Sequence, residues 1–295
     1  MDTSARGVSA PICPVCRGPL CLWGTQDLRT ADGRVPTTFR YCRSCAIFVR
    51  DVSRGTQLRH LEVAGYTKPK MPRRLERRRA FYEYVLDVVE STSGRSGGSL
   101  LDVGTGHGGL PRIARNRGFE AAGVEIVPWL RDQVRDELHI PCWEELAKVE
   151  DTFDVATFID SFMYFDDPHE VICDIDRILN GRGVLLLRIP NRNWLVRVLR
   201  EAKPERQFEP IADAFVGWSL RGLRRLLAMH GFEIQGVRYL ERGLQRHSRL
   251  ETASAFTLAA ISKLTSASSR PVALGLLVTA CRKVDLAPPA ATRAS

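Results

Sequence analysis

The sequence predicts an α/β protein in which a doubly wound, mainly parallel sheet occupies the last two thirds of the chain and a small cysteine-held module precedes it. Three observations predict this. From residue 99 onward, apolar runs of strand length alternate with stretches of helical period. A glycine-rich turn joins the first such run to the first such helix. Five of the eight cysteines fall within the first 45 residues, four of them in two Cys-x-x-Cys pairs.

Composition bounds the answer. The 295 residues, 44% apolar and 26% charged, suffice for one large or two modest domains and exclude wholesale disorder or a short disulfide scaffold. The net charge of +9 is unevenly placed: residues 1–100 carry 17 Lys/Arg against 9 Asp/Glu, and residues 101–295 carry 26 against 25. Residues 1–12 are polar, include Asp2 and Arg6, and offer no apolar core of an export signal. The apolar runs at 256–261 and 272–280 are short and separated by Lys263 and Arg270, so no transmembrane segment is expected. These features predict a cytoplasmic protein, where clustered cysteines are metal ligands or redox groups more often than disulfides.

The first pair reads Cys13-Pro-Val-Cys16 and the second, 25 residues on, Cys42-Arg-Ser-Cys45. Two thiolate pairs on tight turns supply the four soft ligands that tetrahedral zinc prefers, and a module of this size needs such a staple because its core is small. A structural zinc at Cys13, Cys16, Cys42 and Cys45 is therefore expected, with Cys21 left over. A thioredoxin-like redox pair would need an adjoining βαβ pattern, and none precedes residue 95. A helix follows over residues 72–90, with Pro72 in its first turn and Leu75, Tyr82, Val85, Leu86 and Val89 at helical spacing. Its opening carries Arg73, Arg74, Arg77, Arg78 and Arg79, which suit either an anionic partner or a solvated face. The Ser/Gly-rich stretch 91–99 reads as a linker. The expected organisation is a metal-held ribbon at 1–70, a basic helix and linker at 71–98, a cofactor-binding domain at 99–285 and a disordered tail at 286–295.

The domain opens with strand, glycine loop, helix and strand. Its loop fits two patterns: Gly104-x-Gly106-x-x-Gly109, a dinucleotide fingerprint, and Asp102-x-Gly104-x-Gly106-x-Gly108. Asp102 favours the second, since a carboxylate at the strand tip attracts a ligand's amino group and repels a pyrophosphate. Glu125, ending the second strand 23 residues on, is placed to accept ribose hydroxyls under either pattern. Residues 153–160 form a buried strand ending in Asp160. Asp166-Asp167-Pro168 caps a helix with Val171, Ile172, Ile175, Ile178 and Leu179 on one face. Residues 180–183 turn into another buried strand at 184–191. Ser219 starts a helix burying Leu220, Leu223, Leu226 and Leu227 and ending at His230-Gly231, and the strands 232–240 and 273–281 close the sheet, one of them antiparallel.

The glycine loop, Gly123-Val-Glu125-Ile126, Thr152-Phe-Asp154-Val, Asp167-Pro168, Arg177-Ile-Leu-Asn180-Gly-Arg-Gly183, Pro190-Asn191, the Leu-rich helix ending in Gly231-Phe232 and the closing Ala280-Cys-Arg-Lys283 together resemble class I S-adenosylmethionine-dependent methyltransferases. With the cysteine pairs they are similar to the bacterial branch that carries an N-terminal zinc ribbon. The resemblance implies a Rossmann-like sheet, S-adenosylmethionine as cofactor, and cofactor contacts from Asp102, Gly104, Thr105, Gly106, Gly108, Glu125, Ile126 and Trp143, the last packing on adenine. It implies methyl transfer to a small-molecule acceptor, such as a sugar, glycan or secondary metabolite, with an anionic acceptor among the options. Two alternatives stand beside it: an RNA methyltransferase, for which nucleic acid would be the partner, and a cofactor-binding module that has lost catalysis.

The chain departs from the family pattern in three places. Pro141-Cys-Trp-Glu-Glu145 stands where an acid commonly contacts adenine, so that Glu144 is a substitute, while Met163-Tyr164 and residues 213–218 lack the histidines usual there. No catalytic residue is assigned; Asp160, Tyr164, Asp166 and His169 are expected near the rim. His107 is read as loop packing and His230 as a helix-end residue. Residues 250–265 are apolar on several sides, which suits burial in the fold above a partner or membrane surface.

Overall fold

The computed structural model describes residues 11–63, 71–190, 214–240 and 275–283. The apolar segment 250–265 and the tail 286–295 lie outside the described residues. In the amino-terminal module, β1 (Cys21–Thr30), β2 (Gly33–Cys42) and β3 (Ile47–Asp51) form an antiparallel ribbon. Helices α1 (Arg54–Val63) and α2 (Met71–Ser93) lead out of it. The second unit runs through β4 (Gly98–Val103), α3 (Gly109–Asn116), β5 (Phe119–Val124), α4 (Pro128–Asp136), β6 (Cys142–Trp143), β7 (Phe153–Ile159), α5 (Pro168–Ile178) and β8 (Leu179–Pro190). After residue 213 come β9 (Val216–Gly217), α6 (Leu220–Met229), β10 (Phe232–Leu240) and β11 (Gly275–Arg282).

The seven-stranded sheet has the order β10-β11-β8-β7-β4-β5-β6. Pairings among β4 to β8 are parallel, and β11 runs antiparallel between β8 and β10. This is the expected doubly wound α/β sheet, Rossmann-like, with its antiparallel closure. The winding reverses direction between β4 and β7, where open α/β sheets leave a crevice at the carboxyl ends of the strands. Being central, β4 is apolar on both faces: Leu100 enters a core with Phe81, Val85, Leu86, Leu110 and Ala114, while Leu101 enters the opposite core with Phe158, Ile172, Ile175 and Leu223.

The helix starts follow the expected chemistry. The Asp167 carboxylate accepts from the His169 and Glu170 amides at 2.9 and 3.3 Å, and Pro168 opens α5. Ser219 Oγ caps α6 by accepting from Gly222 N at 2.9 Å. One element differs. Residues 180–183 do not turn ahead of a separate strand but continue β8 as a bulge, the partner of β7 jumping from Leu179 at Phe153 to Val184 at Val155.

The ribbon is not a separate bead. Strand β9, which lies between β8 and α6 in the second unit, adds to β3 as a fourth ribbon strand. Cys13, Val15, Phe39 and Ile47 share one apolar core with Phe162, Leu223 and Trp218. Among the described residues no helix is long and apolar enough to cross a membrane.

Candidate functional site

A cleft of about 310 Å³ opens at the carboxyl ends of β4, β5 and β7, where the sheet winding reverses. Its floor is the glycine loop. The amides of Gly104 and Thr105 donate to Val124 O at 2.8 and 3.0 Å, which ties the loop to the end of β5. Gly104 has φ +76°, and a Cβ there would collide with Ser161, whose hydroxyl donates to Val103 O. Gly106, at φ +56°, has open space where a Cβ would stand, so bare backbone faces the cleft.

Strand register sets the two carboxylates. Asp102 lies between Gly123 of β5 and Thr157 of β7. The Thr157 hydroxyl donates to its Oδ1 at 2.7 Å. Burial pushes the Asp102 carboxyl up to about 6, against the Thr157 hydrogen bond, which lowers it. Glu125 is 6% exposed and accepts from Gly106 N at 2.7 Å and Val127 N at 2.9 Å. Burial raises its pKa, and the amides of Val127 and Gly106 oppose the rise. Each Glu125 oxygen thus accepts one amide hydrogen and retains a lone pair for a hydroxyl.

Of the residues expected to contact a cofactor, Asp102, Gly104, Thr105, Gly106, Glu125 and Ile126 line this cleft. The structure does not bring Gly108 or Trp143 there. A Cβ on Gly108 would strike Leu138 at 2.7 Å, so that glycine lets the loop pack on the α4 side. The Trp143 indole meets the Phe153 ring edge-on at 6.3 Å, and its carbonyl accepts from Glu125 N at 2.9 Å. Glu144 does line the cleft, paired with Lys148 at 2.9 Å. His107, read as loop packing, also lines the cleft, with its ring 5.6 Å from that of Trp129.

Two of the expected rim groups have other partners. Asp160, held at φ +62°, accepts from Arg78 Nη2 at 2.8 Å and pairs with the buried Arg188. His169 lies away from the cleft, against the ribbon: its Nε2 meets Val15 O at 3.0 Å and its Nδ1 meets His230 Nε2 at 2.8 Å. A carbonyl only accepts, so His169 carries its proton on Nε2 and His230 donates to it. Tyr164 and Asp166 line the cleft.

The roof was not foreseen. Arg54 and Gln57 of α1 and Arg78 and Tyr82 of α2 line the cleft from above. Arg78 was legible as a basic residue, but its inward aim depends on Asp160. Arg188 carried a readable signal, a lone charge within the apolar run of β8 that needs a buried partner. Gln57 gave none.

At the other end of the chain the four predicted thiols converge. The Sγ atoms of Cys13, Cys16, Cys42 and Cys45 all lie within 4.8 Å of one another, and those of Cys16 and Cys42 are 3.6 Å apart. Tetrahedral Zn–S bonds of about 2.3 Å put sulfurs about 3.8 Å apart. The two turns match: the residue after each second cysteine, Arg17 or Ala46, is left-handed at φ 56° and 55°. Burial pushes the Cys13 thiol up to about 11. Burial acts the same way on Cys16, but the Gly18 amide and the neighbouring thiols bring it down to about 7.

The profile of the methyltransferase-domain family matches residues 73–237. No curated protein matches the sequence. Among solved structures, the chain is similar to magnesium protoporphyrin IX methyltransferase from Synechocystis PCC 6803 with bound SAH, at 15% identity over 68% of this chain and 82% of that one, TM-score 0.48. It is also similar to the PH0226 protein from Pyrococcus horikoshii OT3, at 18% identity over 70% and 91%, TM-score 0.49. A third is ribosomal protein L11 methylase from Lactobacillus delbrueckii subsp. bulgaricus, at 14% identity over 69% and 79%, TM-score 0.40. With more than half of its length matched by that family profile, the chain belongs to the methyltransferase-domain family and is a class I S-adenosylmethionine-dependent methyltransferase.

Proposed function

We propose that this enzyme methylates a small-molecule acceptor, of the sugar, glycan or secondary-metabolite kind. The observation that carries the reading is the roofed cleft: α1 and α2 cover it, and the described rim is acidic. Asp166, Asp167, Glu170 and Asp174 line it, Asp167 paired with Arg17 at 3.7 Å and Asp174 with Arg177 at 3.1 Å, while the charge of Asp160 is met by Arg78 and Arg188. Such a rim opposes a phosphate backbone and favours an uncharged or cationic acceptor over an anionic one. Of the basic run on α2, Arg78 pairs with Asp160 and Arg79 with Glu83 at 2.9 Å, which leaves those two charges engaged within the chain.

In this reading the cleft residues position rather than react. Asp102 faces the cofactor's amino group, the two spare lone pairs of Glu125 accept the ribose hydroxyls, and Gly104, Thr105 and Gly106 let the backbone approach. Ile126 packs on the base. S-adenosylmethionine supplies an activated sulfonium methyl, so alignment and exclusion of water carry most of the catalysis. We assign no general base: Asp160 is neutralised by two arginines, and His169 is committed to the ribbon.

We further propose that Cys13, Cys16, Cys42 and Cys45 hold one structural zinc, and that the protein works in the cytoplasm, where thiols stay reduced. A second reading, RNA as acceptor, is favoured by one feature. Trp23, Tyr41 and Phe48 cluster on the ribbon with ring centroids 4.9 to 5.7 Å apart, and Trp23 is 42% exposed, a surface on which bases could stack.

The test is transfer of labelled methyl from S-adenosylmethionine into metabolite and RNA extracts. Label is expected in the small-molecule fraction. Label confined to RNA would replace the proposal with the second reading, and label in neither, with S-adenosylhomocysteine still bound, would leave a binding module without catalysis.

A further inference from the structure

We propose that Gln57, contributed by the amino-terminal module and not by the methyltransferase sheet, is a ligand-binding residue of the cleft and reads the nucleobase edge of the cofactor. The inference rests on the cofactor reading above.

Gln57 is 2% exposed and lines the cleft, and neither its Nε2 nor its Oε1 has a hydrogen-bond partner. A buried carboxamide with both ends unmet destabilises the ligand-free fold, so such a side chain suits a place where a ligand completes it. What it offers is a donor beside an acceptor in one plane. The complement is a ligand edge with the same adjacent pair, as in an aminopurine, where an amino group stands next to a ring nitrogen.

Its place in the cleft selects the ligand's end. Arg54, one turn earlier on α1, pairs with Glu145 Oε1 at 3.4 Å. Glu145 follows β6, and β6 is held beside Glu125 by the bond from Glu125 N to Trp143 O at 2.9 Å. Helix α1 is therefore tethered over the Glu125 side of the cleft, where the ribose hydroxyls are accepted and the base begins. Helix α2 is tethered over the opposite side by Arg78 and Asp160. Leu146 and Ala147 line the cleft next to Glu145 and give the base an apolar flank. The Trp143 indole is turned onto Phe153, so the base edge is met from the roof.

Titration calorimetry with S-adenosylhomocysteine tests this, alongside thermal melts of the ligand-free protein. Gln57→Leu should weaken binding about tenfold or more while the ligand-free melting temperature holds or rises, since a buried unmet amide is replaced by an apolar isostere. Gln57→Ala should show the same loss of affinity. A derivative lacking the 6-amino group should bind the wild type about tenfold less tightly and lose little on Gln57→Leu.

Wild-type affinity in both variants overturns the proposal. So does an equal penalty for the missing amino group in wild type and variant, which would move Gln57 off the base edge. If the wild type binds S-adenosylhomocysteine and only Asp102→Ala weakens it, the cofactor reading stands and the Gln57 assignment falls. If the wild type does not bind at all, both fall.

Discussion

Burial at the tip of β4 raises the Asp102 carboxyl to about 6, so the group changes charge within an experimentally convenient range. A carboxyl whose pKa is higher folded than unfolded binds its proton more tightly in the native state. In the ligand-free protein it therefore favours folding at low pH, and that contribution is lost as pH rises through about 4 to 6. A cationic amino group on the ligand reverses the preference, because it binds the ionised form. Affinity for S-adenosylhomocysteine is expected to climb between about pH 5 and pH 7 and then level off. Asp102→Asn should flatten that climb, weaken binding at pH 7.5 by about tenfold to a hundredfold and raise the ligand-free melting temperature. Calorimetry across the range checks it, and a pH-independent wild type would show that Asp102 does not meet the amino group. Asp102 and Glu125 were legible because glycine loops and strand-ending acids are local patterns. Gln57 was not, because an unmet carboxamide exists only once the surrounding atoms are placed.

The ribbon shows how an element with little core of its own is held. Its strands β1 and β2 pair along their length, yet Leu22 remains 67% exposed, and the buried interior of the ribbon is completed by Cys13, Val15 and Ile47 against the second unit. Zinc bound by the four thiolates would contribute to folding free energy directly. Chelation, or Cys42→Ser, is expected to melt the ribbon at a lower temperature than the sheet and to release about one zinc per chain, read by elemental analysis and circular dichroism. Unchanged stability with no metal released would exclude the site. The relay from Cys173 through His230 and His169 to Val15 O fastens the ribbon to α5 and α6, with Sγ of Cys173 at 3.7 Å from His230 Nδ1. His230 was readable as a helix-end residue, whereas His169 was expected at the rim of the cleft. Their joint use was not readable, since residues 169 and 230 meet only through helix packing.

At the scale of the molecule, the amino-terminal third and the sheet form one structure with shared cores. Strand β9 belongs to the ribbon sheet, Phe215 O accepts from Arg50 N at 2.8 Å, and Ser219 Oγ donates to Cys45 O at 2.8 Å. A chain beginning at residue 71 would expose the fully buried Trp218 and Phe162, leave β9 without its partner strand and lose Arg54 and Gln57 of α1 from the cleft. Such a chain is expected to bind a hydrophobic dye, to be cut rapidly by protease and to have no measurable affinity for S-adenosylhomocysteine. Cofactor affinity within about threefold of the full chain would show instead that the sheet stands alone.

The linear order of apolar runs, caps, glycines and cysteines was enough for the α/β class, the glycine loop, the two carboxylates at the cleft floor and the thiol tetrad, because each rests on interactions between residues near in sequence or on a ligand set that is chemically specific. The placement of α1 beside Glu145 at the cleft, the inward turn of Arg78, the withdrawal of Trp143 and His169, and the docking of the ribbon came from packing. Those depend on which surfaces meet across long sequence separations, and a buried contact between such residues has no period or spacing by which a sequence could announce it.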